Sequence, residues 1–366
     1  MATAGGLPYI LFPVIMATFL IPAVELKVPN EGSKLDMWFN KFVGTFESRK
    51  NQLLPELVAA ETNRKVISVR KHGKAQFRSI KDAINSIPDG NKDRIIVAVG
   101  PGTYVEKVTI SKEKPFVTLY GDPKKMPTLV YNDTAKTAKG SVYSGTLSVY
   151  ADHFNAVNMH IKNSAPQPDG KPDQQALAMR ISGDYASFYN CRFYGFQDTL
   201  MDDTGKHLYK DCYIEGTVDF VFGTGQTLFM KTELHVIGDG EAFVTAHGRN
   251  SPDDPSGFVF LQCPVTGKGK GNAYLGRPWF NYARVIFLYS GLGRVINPAG
   301  WYNNQPTLAI NSNAYFAERQ NRGPGANNGR RAPGVQVLPP WAVDQFANFP
   351  YVEAEKWLLP PTSDVA

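Results

Sequence analysis

The sequence contains little cysteine and histidine, and this scarcity limits the chemistry it can carry. Its 366 residues include six histidines and three cysteines, Cys191, Cys212 and Cys263. Three cysteines are too few for a disulfide framework, and their spacing is not that of metal ligands. No Gly-x-Ser-x-Gly segment is present and the histidines follow no regular spacing, so hydrolysis by a serine–histidine pair has little support.

Long apolar runs are equally scarce. Residues 7–24 form the one long apolar run, which contains no charged residue, and polar sequence follows it. This is the pattern of a signal-peptide core, so we predict that residues 1–24 are a signal peptide and that the rest of the chain is secreted and leaves the membrane. A retained membrane anchor is the alternative, because the run is close to the minimum length of a span and lacks a preceding Lys or Arg.

Nucleic-acid-binding motifs are also absent, although the chain is basic. Lys and Arg outnumber Asp and Glu by 39 to 33, which gives a formal net charge of +6. A positive field favours polyanionic partners, and without an arginine-rich or aromatic nucleic-acid motif an acidic extracellular polymer is the best match. Asn132 begins the sole Asn-x-Ser/Thr triplet of the chain, so it is the predicted glycosylation site.

One short pattern recurs along the chain: an aromatic residue, then a small residue three positions later, then an apolar residue two positions further. Its copies alternate like short strands with one buried face, and long helices between them are missing. Short strands that return every 20 to 22 residues indicate a solenoid with coils about 4.8 Å apart, an all-β parallel β-helix. The five copies are Phe154/Val157/Met159, Phe188/Cys191/Phe193, Tyr209/Cys212/Ile214, Phe229/Thr232/Leu234 and Phe260/Cys263/Val265.

The same repeat assigns the three cysteines to one inward-facing column, where packing in the core is the default interpretation. Cys191 and Cys212 fall on neighbouring coils, within the Cα separation that a disulfide allows, so they are candidates for a disulfide in an oxidising compartment, and their pairing stays open. Cys263 lies beyond the Thr232 coil and is predicted to be a free, buried thiol.

Short helices are expected only toward the chain ends. Residues 36–60 are the best N-terminal helical candidate, and the amphipathic segment 79–87 is suited to cap the open end of the solenoid. The Pro- and Gly-rich residues 322–340 are predicted to be a surface loop, and residues 341–359 a tail that lies on the body. We therefore expect a single domain.

Polar residues also repeat with the coil period. Gln175, Gln197 and Asp219 are separated by 22 residues each, and Asp198 is adjacent to Gln197. Stacked coils would bring these four side chains together. Asp219 lies in an otherwise apolar strand, where an unpaired carboxylate is costly, and Arg277 is a candidate partner for it. A ladder of structural hydrogen bonds is the alternative interpretation.

The functional interpretation treats Asp198 and Asp219 as coupled carboxylates. Their proximity should raise the pKa of one, so that one can act as an acid while the other attacks. Two glutamine amides on adjacent coils could donate hydrogen bonds to an oxyanion, at about 3 kcal/mol per donor. This set of groups suits acyl transfer or ester hydrolysis.

These motifs resemble those of the plant pectin methylesterases over residues 66–360, which leaves residues 25–65 as an N-terminal extension. The resemblance implies a right-handed parallel β-helix and a carboxylic ester hydrolase that removes C6 methyl esters from homogalacturonan without a metal or organic cofactor. The inhibitor-like pro-region of many members is absent, so the chain resembles the short class. Five segments match in order: residues 102–106, 175–180, 197–200, 219–223 and 275–279.

The resemblance also implies a role for each site residue. Asp219 resembles the nucleophile that forms an acyl-enzyme, and Asp198 the acid that protonates methanol and then the base that activates water. Gln197, helped by Gln175, resembles the oxyanion stabiliser. Arg277 resembles the residue that holds Asp219 ionised and oriented.

Three further residues are expected at the substrate. Trp279 resembles a wall of the sugar-binding cleft, Ser141 a substrate-binding position, and Phe220 a lining residue. Two departures, Thr224-Gly225 in place of Asn-Ala and a lengthened loop at residues 166–173, lie near the site. We expect a monomer in the cell wall that binds methyl-esterified homogalacturonan and a proteinaceous pectinesterase inhibitor.

Two other functions stay open. A lyase or polygalacturonase of the same fold would need Ca²⁺-binding acidic clusters with a basic residue, or several aspartates at the cleavage point, and the Gln-Gln-Asp-Asp set favours the esterase over both. A non-catalytic pectin-binding protein of the cell wall would keep the fold and the positive charge.

Overall fold

The computed structural model describes residues 27–303, 313–363 and 365. Three parallel sheets, which we call A, B and C, wind around one apolar interior. The fold class is the predicted one, a right-handed parallel β-helix with short terminal helices. The predicted signal peptide, residues 1–24, lies outside the described residues.

The strands are numbered in chain order. Sheet A contains eleven strands: β1 (Lys65–Val69), β2 (Ile95–Val99), β5 (Val117–Gly121), β8 (Asn155–Val157), β11 (Ala186–Tyr189), β14 (Lys206–Lys210), β17 (Gln226–Met230), β21 (Gly257–Leu261), β25 (Arg284–Leu288), β26 (Tyr315–Arg319) and β27 (Gln336–Val337). Sheet B contains seven: β3 (Thr103–Val105), β6 (Thr128–Tyr131), β9 (His160–Asn163), β12 (Arg192–Tyr194), β15 (Tyr213–Gly216), β18 (Glu233–Val236) and β22 (Val265–Gly267). Sheet C also contains seven: β4 (Val108–Ile110), β7 (Leu147–Val149), β10 (Met179–Ile181), β13 (Leu200–Asp202), β16 (Val221–Gly223), β20 (Thr245–His247) and β24 (Arg277–Pro278). A separate pair consists of β19 (Ala242–Phe243) and β23 (Ala273–Tyr274).

The predicted aromatic repeat forms a continuous stack inside sheet A. Phe188, Tyr209, Phe229 and Phe260 are paired in register, and successive rings stack with centroids 4.4, 4.7 and 4.5 Å apart. Four of the five predicted copies are thereby confirmed. Each coil adds a ring of similar size to one inward column, so the stack propagates without a gap.

The first predicted copy is out of register. Ala156, and not Phe154, pairs with Phe188. The Phe154 ring enters from two residues earlier and packs 5.9 Å from the ring of Phe188 in a tilted arrangement. Phe154 thus provides the aromatic ring of this coil from a position outside the inward column. The predicted copy was aligned on this aromatic residue and is therefore displaced by two positions.

All three cysteines are buried as free thiols in the structure, so the candidate pair Cys191 and Cys212 is not bonded there. The two residues do lie side by side, because β11 and β12 pair in register with β14 and β15 on either side of them. The thiol of Cys212 donates to the carbonyl groups of Phe188 and Lys210 at 3.4 and 3.5 Å. Burial raises the pKa of this thiol well above its ordinary value, which keeps it protonated and unreactive.

The predicted N-terminal helix is divided into three, α1 (Gly32–Val43), α2 (Phe46–Arg49) and α3 (Pro55–Thr62). Gly44 ends α1 with a positive φ of 53°, and Thr45 begins α2 with a capping box. These two residues explain the first of the two breaks, because one favours a helix end and the other a helix start. Among the described residues, no helix reaches the length and apolarity that a membrane crossing requires.

The cap of the solenoid is the expected amphipathic segment. It forms α4 (Ile80–Asn85), capped by the Ser79 hydroxyl, and its apolar side chains join the interior cluster. The remaining helices are α5 (Ala135–Ala138), α6 (Pro340–Phe346) and α7 (Ala354–Trp357), with 3₁₀-helices at Ser141–Tyr143, Asn328–Arg330 and Phe349–Val352.

The C-terminal region differs in part from its prediction. Residues 322–340 are more than a surface loop, because they contain β27 and the buried ion pair of Arg331 with Glu318, at 2.6 Å. The tail after residue 340 lies on the body as expected. It packs with α1 on the outer face of sheet A and forms a second apolar cluster there.

Candidate active site

The two aspartates lie one coil apart, where the chain enters sheet C. Leu200 pairs with Val221, so the residues two positions earlier, Asp198 and Asp219, are neighbours. Both have a left-handed backbone, with φ of 63° and 51°. Such a conformation is uncommon outside glycine and is tolerated best by Asp and Asn. The bend turns both carboxyl groups toward the same side of the solenoid.

This register corrects one detail of the prediction. The coils here repeat every 21 residues, so Gln197 pairs in register with Val218 and not with Asp219. The backbone N–H of Asp198 donates to the carbonyl of Val218 at 3.0 Å. The predicted cluster forms all the same, because its four side chains line one cleft.

Arg277 binds Asp219 through two parallel hydrogen bonds. Its Nε donates to Oδ1 at 2.9 Å and its Nη2 donates to Oδ2 at 2.6 Å. Arg277 lies on β24, where the backbone pairs with Ala246 of β20. Bidentate pairing of a planar guanidinium with a carboxylate fixes the orientation of both groups. The predicted partnership is therefore present.

Burial and charge give the two carboxyl groups different pKa values. Burial raises the pKa of Asp198 well above its ordinary value, and the neighbouring Asp219 raises it further against a smaller opposing effect of Arg277. Burial also raises the pKa of Asp219, but the hydrogen bonds and charge of Arg277 offset part of this effect, so the pKa of Asp219 is raised less than that of Asp198. The arrangement therefore favours a protonated Asp198 beside an ionised Asp219.

These groups open into a cleft of about 620 Å³. Gln175 and Gln197 line it, and the Oε1 atom of Gln175 is buried without a hydrogen-bond partner in the described part of the chain. A buried amide oxygen without a partner is costly in a folded protein. The residues around the cleft are Ser141, Val142, Gln175, Gln197, Asp198, Asp219, Phe222, Ala246, Arg277, Pro278, Trp279 and Tyr302.

Trp279 forms an aromatic wall of this cleft. Its ring is 45% exposed, meets Phe222 edge-on at 5.8 Å and stacks on Phe280 at 5.1 Å. Ser141 also lines the cleft, at the start of a 3₁₀-helix. A flat, partly exposed ring beside polar groups is suited to contact the apolar face of a sugar.

The prediction for Phe220 is wrong. Its side chain is fully buried among the interior residues and does not reach the cleft. Phe220 lies before β16 and points inward together with Val221, and alternation within β16 then turns Phe222 outward. Phe222 could have been found from the coil register, because it occupies the same outward column as Met201 and Ala246.

Val142, Pro278 and Tyr302 were also missed by the sequence analysis. They come from a 3₁₀-helix, the edge strand of sheet C and the segment between β25 and β26, and no periodic signal connects them. Asn132, the predicted glycosylation site, is exposed beside Thr134, whose hydroxyl caps α5. Its modification stays a prediction.

Comparison with known proteins assigns the family. The pectinesterase family model matches residues 66–355. The chain belongs to the pectinesterase family. It is 46% identical to pectinesterase 2 of Olea europaea over 98% of this chain and 95% of that protein. It is 43% identical to probable pectinesterase 50 of Arabidopsis thaliana, over 95% and 94% of the two chains.

Solved structures of pectin methylesterases agree with this assignment. The carrot pectin methylesterase superimposes with a TM-score of 0.74 at 25% identity, over 82% of this chain and 98% of that one. The Aspergillus niger pectin methylesterase gives a TM-score of 0.69 at 26% identity, over 81% and 97%. This pectinesterase is accordingly a carboxylic ester hydrolase that removes methyl esters from pectin.

Proposed function

We propose that this pectinesterase hydrolyses the C6 methyl esters of homogalacturonan through an acyl-enzyme on Asp219. The observation that carries the proposal is the unequal pair of carboxyl groups. Asp219 is held by Arg277 through two hydrogen bonds, whereas its neighbour Asp198 is buried and has the more strongly raised pKa. An ionised nucleophile beside a protonated acid is the state that ester cleavage requires.

In the first step, a carboxylate oxygen of Asp219 attacks the C6 carbonyl carbon of the substrate. The carbonyl oxygen becomes an oxyanion, which the amide groups of Gln197 and Gln175 stabilise as hydrogen-bond donors. The bond from C6 to the methoxy oxygen then breaks. The departing oxygen takes the proton of Asp198, so methanol leaves and an anhydride joins Asp219 to the galacturonyl group.

In the second step, Asp198 is a carboxylate and acts as a base. It takes a proton from water while the water oxygen attacks C6 of the acyl-enzyme. The bond between C6 and Asp219 breaks, which restores the Asp219 carboxylate. The product is a galacturonic acid carboxyl group, which ionises to galacturonate by releasing one proton to the solvent. The enzyme returns to its starting state with Asp198 protonated and Asp219 ionised, so atoms and charges balance over the cycle.

The other residues that line the cleft would recognise the polymer. Trp279 offers a ring face to a sugar, Ser141 offers a hydroxyl, and the net charge of +6 favours a partly anionic chain. We also propose secretion to the cell wall after removal of residues 1–24, action as a monomer and binding of a proteinaceous inhibitor over the cleft. The apolar run at residues 7–24 supports secretion, and the accessible cleft supports binding of an inhibitor.

Methanol release from highly methylated pectin tests the mechanism. Asp219→Asn keeps the shape of the side chain and removes the nucleophile, so we expect a rate at least about 10⁴-fold below wild type. Asp93→Asn, which alters an ion pair with Lys65 away from the cleft, is the matched control and should keep the wild-type rate.

Each outcome has a distinct meaning. Equal activity of wild type and Asp219→Asn would remove Asp219 as the nucleophile. Shortened or unsaturated chains without methanol would indicate a different pectin-degrading reaction. Folded wild-type protein that binds pectin without releasing any product would leave a non-catalytic binding protein.

A further inference from the structure

The guanidinium of Arg277 is held on two sides. Its edge donates the two hydrogen bonds to Asp219, and its flat face lies over the ring of Phe243, with Cζ 4.4 Å from the ring centroid. The negative face of an aromatic ring attracts a cation, and the attraction is stronger where water is excluded. Phe243 therefore contacts the cation that orients the proposed nucleophile.

Phe243 is itself fixed firmly. It ends the short strand β19, which pairs with β23, and its N–H donates to the carbonyl of Thr217 at 3.0 Å. Thr217 lies two residues before Asp219 on the same segment. The backbone that carries the nucleophile and the ring beneath Arg277 are thus joined directly, and a displacement of one would move the other.

Two tyrosines complete the support. Tyr274 stacks on Phe243 with centroids 5.5 Å apart and an interplanar angle of 15°. Tyr302, which lines the cleft, meets both rings edge-on at 5.1 Å. The Phe243 side chain is only 4% exposed, so its ring cannot turn away from Arg277 without disturbing both neighbours.

We propose that Phe243 is a positioning residue for the esterase reaction, holding the guanidinium plane of Arg277 so that both of its donors meet Asp219. The inference rests on the proposed function, because it assigns Asp219 as the nucleophile. An aliphatic side chain of similar volume would fill the same space but would leave the guanidinium free to rotate about its terminal bonds. The ring restricts that rotation before substrate binds, which is the benefit of a preorganised site.

A graded change of the ring tests this role without changing its shape. Phe243 is replaced by mono-, di- and trifluorinated phenylalanine, which progressively weaken the negative ring face. We expect kcat to fall stepwise, to about tenfold below wild type for the trifluorinated ring, with KM unchanged. The same three replacements at Phe229, a fully buried ring stacked only on other aromatic rings, should leave kcat unchanged.

A second measurement reads the ion pair independently of turnover. ¹⁵N NMR of Arg277 reports rotation of its guanidinium, which two hydrogen bonds and a stacked ring keep slow. Rotation should become faster along the Phe243 series and stay constant along the Phe229 series. Phe243→Leu should show the fastest rotation, in a protein that circular dichroism confirms to be folded.

The two readouts separate this inference from the proposed function. An active wild type with constant kcat and constant Arg277 rotation along the series would overturn the role of Phe243 and leave the esterase mechanism standing. An inactive wild type whose Arg277 rotation still follows ring fluorination would remove the mechanism while supporting the contact. A drop in kcat that also occurs in the Phe229 series would reduce Phe243 to an ordinary core residue.

Discussion

Asp198 and Asp219 share their side-chain chemistry, a left-handed backbone and the same cleft, and they differ in one set of contacts. Asp219 accepts both hydrogen bonds of Arg277, at 2.9 and 2.6 Å. Asp198 instead faces a second carboxyl group in a buried setting, which favours its neutral form. A single arginine, placed on one side of the pair, is enough to divide the roles of acid and nucleophile.

The pH dependence of Asp198→Asn tests this division. The acid must be protonated, so kcat/KM of the wild type should decline as the pH rises through the raised pKa of Asp198. Asn cannot titrate or donate as an acid, so the variant should be slower by about 10²–10⁴-fold and should lack this alkaline decline. pH–rate profiles of methanol release measure both effects, and an unchanged alkaline decline in the variant would assign it to another group.

At the scale of residues, the sequence analysis found the site where polar groups interrupt an apolar strand. Asp219 was identified because a carboxylate between buried residues needs a partner, and Arg277 is that partner. Phe220 was misassigned because nothing in the sequence reveals the left-handed φ of Asp219, which changes the side on which the next residue lies. Tyr302 lies in a non-repeating segment far along the chain, so no sequence pattern predicts that it lines the cleft.

At the scale of elements, the strand that follows Asp198 ends in a buried polar network. Asp202, the last residue of β13, accepts hydrogen bonds from the Tyr209 hydroxyl at 2.9 Å and the Thr227 hydroxyl at 2.6 Å. The ring of His207 contacts Asp202 through Nδ1 at 3.1 Å and the carbonyl of Gly183 through Nε2 at 2.8 Å. Both nitrogens face acceptors, so the imidazolium form fits this position best.

This network predicts a pH-dependent stability. Burial lowers the pKa of His207, but the charge and hydrogen bond of Asp202 outweigh it, and the net pKa lies above the ordinary value of 6.5. Its contribution to stability is therefore complete below pH 6.5 and is lost as the pH rises through the raised pKa. Urea denaturation from pH 6 to pH 9 should show this loss in the wild type and not in His207→Gln.

The exposed His72 provides the control for this experiment, because His72→Gln should keep the wild-type pH dependence. A His207→Gln protein with the same slope as wild type would exclude the imidazolium as its source.

Elements were predicted best where they repeat. The coils from Phe188 to Phe260 were found because each places the same kind of side chain at the same inward position. The first coil has Ala156 at this position instead of an aromatic residue, and the predicted copy was therefore aligned on Phe154. The single N-terminal helix was overestimated, because apolar residues continue on both sides of Gly44 and were given more weight than the stop signal of Gly44 and the start signal of Thr45.

At the scale of the whole molecule, the N-terminal helices and the C-terminal tail pack against each other on the outer face of sheet A. Phe349 of the C-terminal tail stacks between Trp38 and Phe42 of α1, with centroids 4.2 and 3.8 Å apart. Arg49 donates to the carbonyl groups of Ala354 and Glu355 at 3.1 and 2.5 Å and also to that of Leu358. The N-terminal extension therefore stabilises the tail, and the tail covers the outer face of the solenoid.

Removal of the Phe349 ring should detach the C-terminal tail from α1. Phe349→Ala deletes a fully buried aromatic side chain and should reduce the free energy of unfolding by about 3–5 kcal/mol. Limited proteolysis should cut the tail earlier in the variant, while kcat of the remaining folded protein stays near wild type. Trp341→Ala, at a side chain 72% exposed, should change neither measurement; an equal loss in this control would mean that the packing of Phe349 is not the cause.

The positions of Asp198 and Asp219 on adjacent coils allow the number of coils to change without altering the site. The interval between the two backbones is one step of the solenoid, about 4.8 Å, and hydrogen bonds between peptide groups determine it. Every pair of adjacent coils has this same interval. Coils can therefore be gained or lost beyond the cleft, lengthening or shortening the surface that meets the polymer, while the spacing on which bond cleavage depends is inherited unchanged.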